Sequence, residues 1–157
     1  MSTVIAIGAI NLDCLTYIPR FPQKGENMRA SDIRYSLGGR GANQAVALTN
    51  LNVANLLIGK VGNDFAGDYL LSILRQNKVS IEFVFKSSNH KTGLCSILVS
   101  PDGDNTIMGF PAINRSIEPD FLSRFEHLFE MAQWLTVSME YPLDTVELAL
   151  RIAKKYH

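Results

Sequence analysis

A chain of 157 residues that is 46% hydrophobic and 19% charged has the length of one domain, can bury its own core, and is too apolar for a disordered or low-complexity chain. Fifteen Lys and Arg balance fifteen Asp and Glu with no basic run or stripe, which argues against a nucleic-acid partner. The opening MSTVIAIGAINLD has no basic leader, and no apolar run approaches the roughly 18 residues of a membrane span, so the reading is a cytoplasmic protein without a membrane partner.

In chain order, Thr3 to Ile10 is continuously apolar and rich in β-branched residues, as expected of a strand covered on both faces. Leu12 to Leu37 alternates polar and apolar residues and is broken by Pro19, Pro22 and Gly25, so it fits no helix. Ala42 to Leu51 reads as a helix and Leu56 to Val61 as a second buried strand. NDFAGDYLLSILRQN reads as a helix capped by Asn63 or Asp64, with Phe65, Tyr69, Leu70, Ile73 and Leu74 on one face. Ile81 to Phe85 is a short strand, and Leu94 to Phe110 is a hairpin turned by Pro101, Asp102 and Gly103.

EPDFLSRFEHLFEM predicts a helix with Pro119 in its first turn and Phe121, Phe125, Leu128 and Phe129 inward. Gln133 to Met139 is a strand, and the closing helix carries an apolar stripe of Leu143, Val146, Leu150 and Ala153. Strands separated by helices imply an α/β fold with a mostly parallel sheet flanked by helices. The segments 12–37 and 94–110 together would form a small second sheet, a lid standing off the main one.

Ligands of an open α/β sheet collect outside the carboxyl ends of its strands. Asn11 and Asp13 follow the first strand at a spacing of two, which puts both side chains on one face of an extended chain. Gly38, Gly39 and Gly41 lead into the helix near Ala42, with Asn43 in its first turn, and Glu140 follows the strand ending WLTVSM. Two carboxylates, two carboxamides and a bare backbone suit the vicinal hydroxyls of a polyol such as a furanose sugar. An anion at the glycine-led helix N-terminus is the competing ligand, which Asp13 and Glu140 would repel. Asn11 and Asp13 could instead turn the chain after the strand, and Glu140 could cap the last helix. Asn114-Arg115-Ser116 matches a glycosylation acceptor by chance, there being no export signal. Cys14 and Cys95 lie far apart without metal-ligand spacing, as free thiols do.

These same residues resemble a known family. IAIGAINLDCL is similar to the first strand and Asn-x-Asp pair of the ribokinase-like sugar kinases, the phosphofructokinase-B family; FPQKGEN resembles their lid segment; GGRGANQAVA is close to their first signature; and MEYPLDTV resembles their sugar-reaching Glu segment. Within the family the ribokinase pattern is the nearest. The resemblance runs along residues 1–157 as the amino-terminal part of one such domain. It implies phosphoryl transfer from ATP, with Mg, to a ribose-like hydroxyl beneath a β-sheet lid that often pairs two subunits.

By the same resemblance Asn11, Asp13, Gly39, Gly41, Asn43 and Glu140 would hold the sugar, with Arg40 among them where the family usually carries Lys. A planar fork and a point charge are not interchangeable, so Arg40 bears on which sugar is preferred. The family's second signature, Asp-Thr-x-Gly-Ala-Gly-Asp, supplies the catalytic base and anion hole and is not found in these residues. The chain is therefore read as the sugar-binding half, without the carboxyl-terminal half that houses most of the ATP and Mg site. A non-catalytic module that binds a sugar, a nucleoside or a partner protein is the alternative.

Overall fold

A computed structural model describes residues 3–156. Four strands, β1 (Thr3–Ile7), β4 (Ala54–Gly62), β5 (Val84–Ser87) and β8 (Trp134–Val137), form one sheet in the order β5-β4-β1-β8, with every neighbouring pair parallel. A second sheet, β3-β2-β6-β7, comprises β2 (Asn11–Tyr17), β3 (Asp32–Gly38), β6 (Gly93–Val99) and β7 (Asn105–Phe110). In it β2 runs antiparallel to β3 and parallel to β6, so the 93–110 hairpin is joined to the first lid segment through β2.

Among the described residues, five α-helices, α1 (Arg40–Asn50), α2 (Phe65–Gln76), α3 (Pro119–Ser123), α4 (Glu126–Phe129) and α5 (Leu143–Tyr156), and a 3-10 turn at Ala112–Ser116 accompany the sheets. Strand β1 shows why its sequence is apolar throughout. Ile5 and Ile7 pack with Phe121 of α3, Phe125 between α3 and α4, Leu128 and Phe129 of α4, and Val146 and Ile152 of α5, whereas Ala6 packs with Ala42 and Ala45 of α1 and Leu70 and Leu74 of α2. Both faces of the strand are dry, the condition that removes alternation from a parallel strand. Among the described residues no helix is long and apolar enough to cross a membrane.

Several local expectations shift. Strand β1 ends at Ile7 rather than Ile10, because Gly8 is pressed against Gly41 of α1 and the chain must leave the sheet there. The strand expected at 81–85 is β5 at Val84–Ser87, and that expected at 133–139 is the shorter β8. The helix expected after Pro119 is broken into α3 and α4 around Arg124 and Phe125, although all four predicted inward residues are buried. Phe65 is 82% exposed and stacks on Tyr69 at the start of α2, while Leu71 takes the buried place assigned to it. Helix α5 buries Thr145, Val146, Ala149 and Ile152, leaving Leu143 and Leu150 in solvent.

Of the two candidate caps for α2, Asp64 serves: its Oδ1 accepts from the Gly67 N–H at 2.9 Å. Its carboxylate also takes the Thr92 hydroxyl at 2.6 Å and the Thr92 N–H at 2.9 Å, tying α2 to the start of β6. Burial works to raise the Asp64 pKa, but these donors outweigh it and hold the carboxyl below its ordinary range. Asn52 closes α1 at φ 57, the left-handed conformation that its short amide tolerates.

Candidate functional site

β1 is flanked by β4 on one side and β8 on the other, so the chain reverses its order about β1, and the loops leaving β1 and β8 open a crevice at their carboxyl ends. Helix α1 begins in that crevice. Its N-cap, Gly39, has φ 85 and no side chain to offer, so α1 carries no local cap. Glu140 supplies one from 100 residues away: its Oε2 accepts from the Arg40 N–H at 3.0 Å, the Ala9 N–H at 3.2 Å and the Ser138 hydroxyl at 2.9 Å. The helix that Glu140 caps is thus α1 and not the closing helix, and its charge sits where the macrodipole favours it. Its other oxygen, Oε1, has no hydrogen bond among the described residues. The next residue, Tyr141, is buried and donates its hydroxyl to the Gly8 carbonyl at 2.6 Å, anchoring the segment. Burial first, and the charge of Glu140 second, push the Tyr141 phenol well above its usual range.

The glycines answer to this chain's own backbone. A Cβ on Gly39 would stand 2.2 Å from the Ala9 carbonyl oxygen, and one on Gly41 would stand 2.4 Å from the carbonyl carbon and oxygen of Gly8. Gly38 is bare because the Asp13 carboxylate fills the place of its Cβ, at 2.2 Å. The close approach that the sequence demands is therefore between α1 and the loop leaving β1, and it places the first N–H groups of the helix beside Glu140.

Two clefts of about 320 Å³ each meet at Met139 and Glu140. One runs beneath the second sheet, lined among others by Asn11, Leu94, Cys95, Asn114 and Arg115; the other is lined by Arg40, Gln44 and Ser138. Asn11 and Glu140 thus share a cavity, and Arg40 reaches the same glutamate from the far side. Asp13 lies on the same face of β2 as Asn11 and lines neither cleft. Its carboxyl is pushed above the usual range by burial and by the nearby charge of Glu140, against the Cys95 thiol, whose hydrogen bond lowers it. Asn43 is exposed in the first turn of α1, and its side chain lines neither cleft.

Sequence reasoning missed Cys95, Asn114, Ser138 and Tyr141. Asn114 is 1% exposed, so the tripeptide that matches a glycosylation acceptor is folded into the crevice wall. Nothing local marks Cys95, because the parallel pairing of β2 with β6, which sets it beside Asp13, joins residues 82 apart in the chain.

The chain matches the pfkB family of carbohydrate kinases over residues 1–157. It belongs to that family. It is 33% identical over 162 residues to a ribokinase of Schizosaccharomyces pombe and 29% identical over 153 residues to a deoxyribokinase of Salmonella typhi. These alignments cover 99% and 98% of this chain but 51% and 50% of the relatives, so the chain spans about half their length. A solved ribokinase structure from Giardia lamblia superposes with a TM-score of 0.88 at 25% identity, covering 99% of this chain and 47% of that one.

For this pfkB-family chain the capping role of Glu140 has a measurable consequence. Glu140→Ala leaves the N–H groups of Ala9 and Arg40 without an acceptor, a loss expected to cost about 2 kcal/mol. For a domain of this size that lowers Tm by about 4–8 °C in a thermal melt. An unchanged Tm would show that the glutamate does not hold α1.

Proposed function

We propose that this chain is the sugar-binding half of a pfkB-type sugar kinase, holding a ribose-like polyol in the crevice between the second sheet and the carboxyl ends of β1 and β8. One observation carries the reading: Asn11 and Glu140 line a single polyol-sized cleft, and Asp13 lies near enough for the charge of Glu140 to act on it. Asn11, Asp13 and the unbonded Oε1 of Glu140 accept from or donate to the ring hydroxyls. Gly39 and Gly41 let α1 begin against Ala9 and Gly8, Asn43 is assigned to the sugar from the first turn of that helix, and Arg40 flanks Glu140 from the second cleft.

Phosphoryl transfer from ATP to the sugar hydroxyl is assigned to this half acting with a complementary one. Among the described residues no three His, Cys, Asp or Glu side chains gather as a metal donor set. The first N–H of α1 is already taken by Glu140. Mg²⁺ and the ATP phosphates are assigned to the complementary half. The complementary half would extend the sheet at β8, whose outer edge has no strand partner among the described residues and whose first residue, Trp134, is 68% exposed.

The second sheet acts as the lid, and we assign it a pairing role between two copies. Its outer strands β3 and β7 expose Ile33, Tyr35, Ile107, Met108 and Phe110, a quantity of apolar surface that seeks a partner. Sedimentation velocity should show a dimer that Phe110→Lys dissociates. The two free thiols project from opposite faces of the lid sheet, which fits a reducing, cytoplasmic setting.

Titration calorimetry with ribose tests the central reading: saturable one-site heat is expected. With ATP, magnesium and ribose added, this chain alone is expected to release no ADP. Heat indistinguishable from dilution would remove the sugar assignment, and sugar-dependent ADP release would place the phosphate chemistry within these residues.

A further inference from the structure

Asn11 and Asp13 can hold a polyol only if something aims their side chains. Asn114 sits in the 3-10 turn Ala112–Ser116, immediately after the second sheet. Both hydrogens of its amide are committed: Nδ2 donates to Asn11 Oδ1 at 2.8 Å and to the Pro111 carbonyl at 2.9 Å. The reverse orientation of the amide would set oxygen against two acceptors, so the network fixes it. The remaining atom, Asn114 Oδ1, is buried without a donor, a cost that native proteins seldom carry without a purpose. Ala112, two residues earlier, is held at φ 45, strained for a residue with a Cβ. Strand β6 is notched to admit the pair, since a Cβ on Gly93 would stand 2.2 Å from Asn11 Oδ1 and 2.4 Å from Asn114 Nδ2.

From Asn11 the chain of contacts continues. Its Nδ2 points at Cys95 Sγ at 3.9 Å, a weak bond that only the large radius of sulfur permits, and the register sets Cys95 directly across from Asp13, whose carboxyl the thiol favours in its ionised form. The parallel register of β2 and β6 pairs Asn11 with Gly93 and Asp13 with Cys95, which puts all these groups on one face of the sheet. We propose that Asn114 and Cys95 are the positioning residues of the polyol site. Through Asn11 they form a relay that fixes both the Asn11 carboxamide and the Asp13 carboxylate in the orientation that neighbouring hydroxyls require. The inference rests on the sugar reading for its purpose, though not for its geometry.

The relay has an electrostatic signature that mere packing lacks. The titratable groups acting on Asp13 are Cys95 from β6 and Glu140 from the loop after β8; on β3 it pairs with Ser36 and fills the Cβ place of Gly38. The thiol donor favours the ionised carboxylate, so its removal raises the Asp13 pKa. Carbon-detected NMR of the Asp13 carboxyl, assigned by its loss in Asp13→Asn, should show a titration that moves to higher pH in Cys95→Ala and returns toward the wild-type position in Cys95→Ser. Calorimetry with ribose should show Asn114→Ala binding about tenfold more weakly, the loss of one hydrogen bond's worth of orientation. Ile152→Val, which thins the packing beneath α5 and so destabilises the fold away from the crevice, should leave ribose affinity unchanged.

An unmoved titration in Cys95→Ala, or a failure of Cys95→Ser to restore it, overturns the relay whatever ribose does. Equal ribose losses in Asn114→Ala and Ile152→Val would reduce Asn114 to a structural part and overturn its positioning role. Wild-type protein that binds no ribose would remove the sugar reading and with it the purpose given to the relay, while the titration would still decide whether the thiol sets Asp13.

Discussion

Gly41→Ala is expected to lower stability by about 3 kcal/mol or more, a fall in Tm of about 6–12 °C for a domain of this size. Two effects of opposite sign compete. Alanine is a better helix residue than glycine by about 1 kcal/mol, and Gly41 lies in the first turn of α1, so propensity alone predicts stabilisation. Against it, the new methyl would sit 2.4 Å from the carbonyl carbon and oxygen of Gly8, backbone atoms that cannot rotate away. Relief requires α1 to withdraw from the loop after β1, which breaks the bond from the Ala42 N–H to the Ala9 carbonyl and pulls Arg40 from Glu140. The clash wins. Gly109→Ala is the matched control: no heavy atom lies within 4 Å of its added methyl, and its Tm should stay near that of the wild type. A thermal melt of both variants decides, and a Gly41→Ala protein melting with the wild type would mean that α1 does not pack on Gly8 as described.

That glycine also marks how far the sequence could be read. The run at Gly38, Gly39 and Gly41 announces a close approach, but not to what. The partner is Gly8 and Ala9, a contact between residues some 30 positions apart that neither periodicity nor turn chemistry encodes. Strand β1 was legible because burial on both faces erases alternation, and Asp64 because caps are local chemistry. Helix α5 was misread for a physical reason. Its sequence offers two apolar stripes, Leu143–Val146–Leu150–Ala153 and Thr145–Val146–Ala149–Ile152, and hydrophobicity favours the first. The structure buries the second, whose small residues let the helix lie close, with the Thr145 hydroxyl donating to the Ile117 carbonyl at 2.7 Å. At the site, Asn11, Asp13 and Glu140 could be named singly. The cap that Glu140 provides to α1 and the relay through Cys95 depend on tertiary register, which one sequence does not carry.

Asp13→Asn is expected to weaken ribose binding by about ten- to a hundredfold while leaving the fold as stable as the wild type at pH 7, or more so. The binding loss follows from removing a charged acceptor: an ionised carboxylate takes a hydroxyl hydrogen bond worth about 1.5–3 kcal/mol, and an amide takes a weaker one. The stability gain follows from the direction of the Asp13 shift. Burial first, and the charge of Glu140 as well, raise its folded pKa above the unfolded value, more than the Cys95 bond lowers it. A carboxyl of that kind prefers its proton in the folded state. Its contribution is therefore most favourable below the unfolded pKa and is lost as pH rises through the folded pKa, so at neutral pH the ionised group opposes folding. Asparagine keeps the shape and removes the charge. A residue that costs stability and earns its place only when hydroxyls donate to it is the mark of a binding site rather than a turn. Calorimetry with ribose and a melt at pH 7 separate the two: if the variant binds ribose as the wild type does, or is destabilised in proportion to its loss of binding, Asp13 serves the chain's turn after β1 and not the sugar.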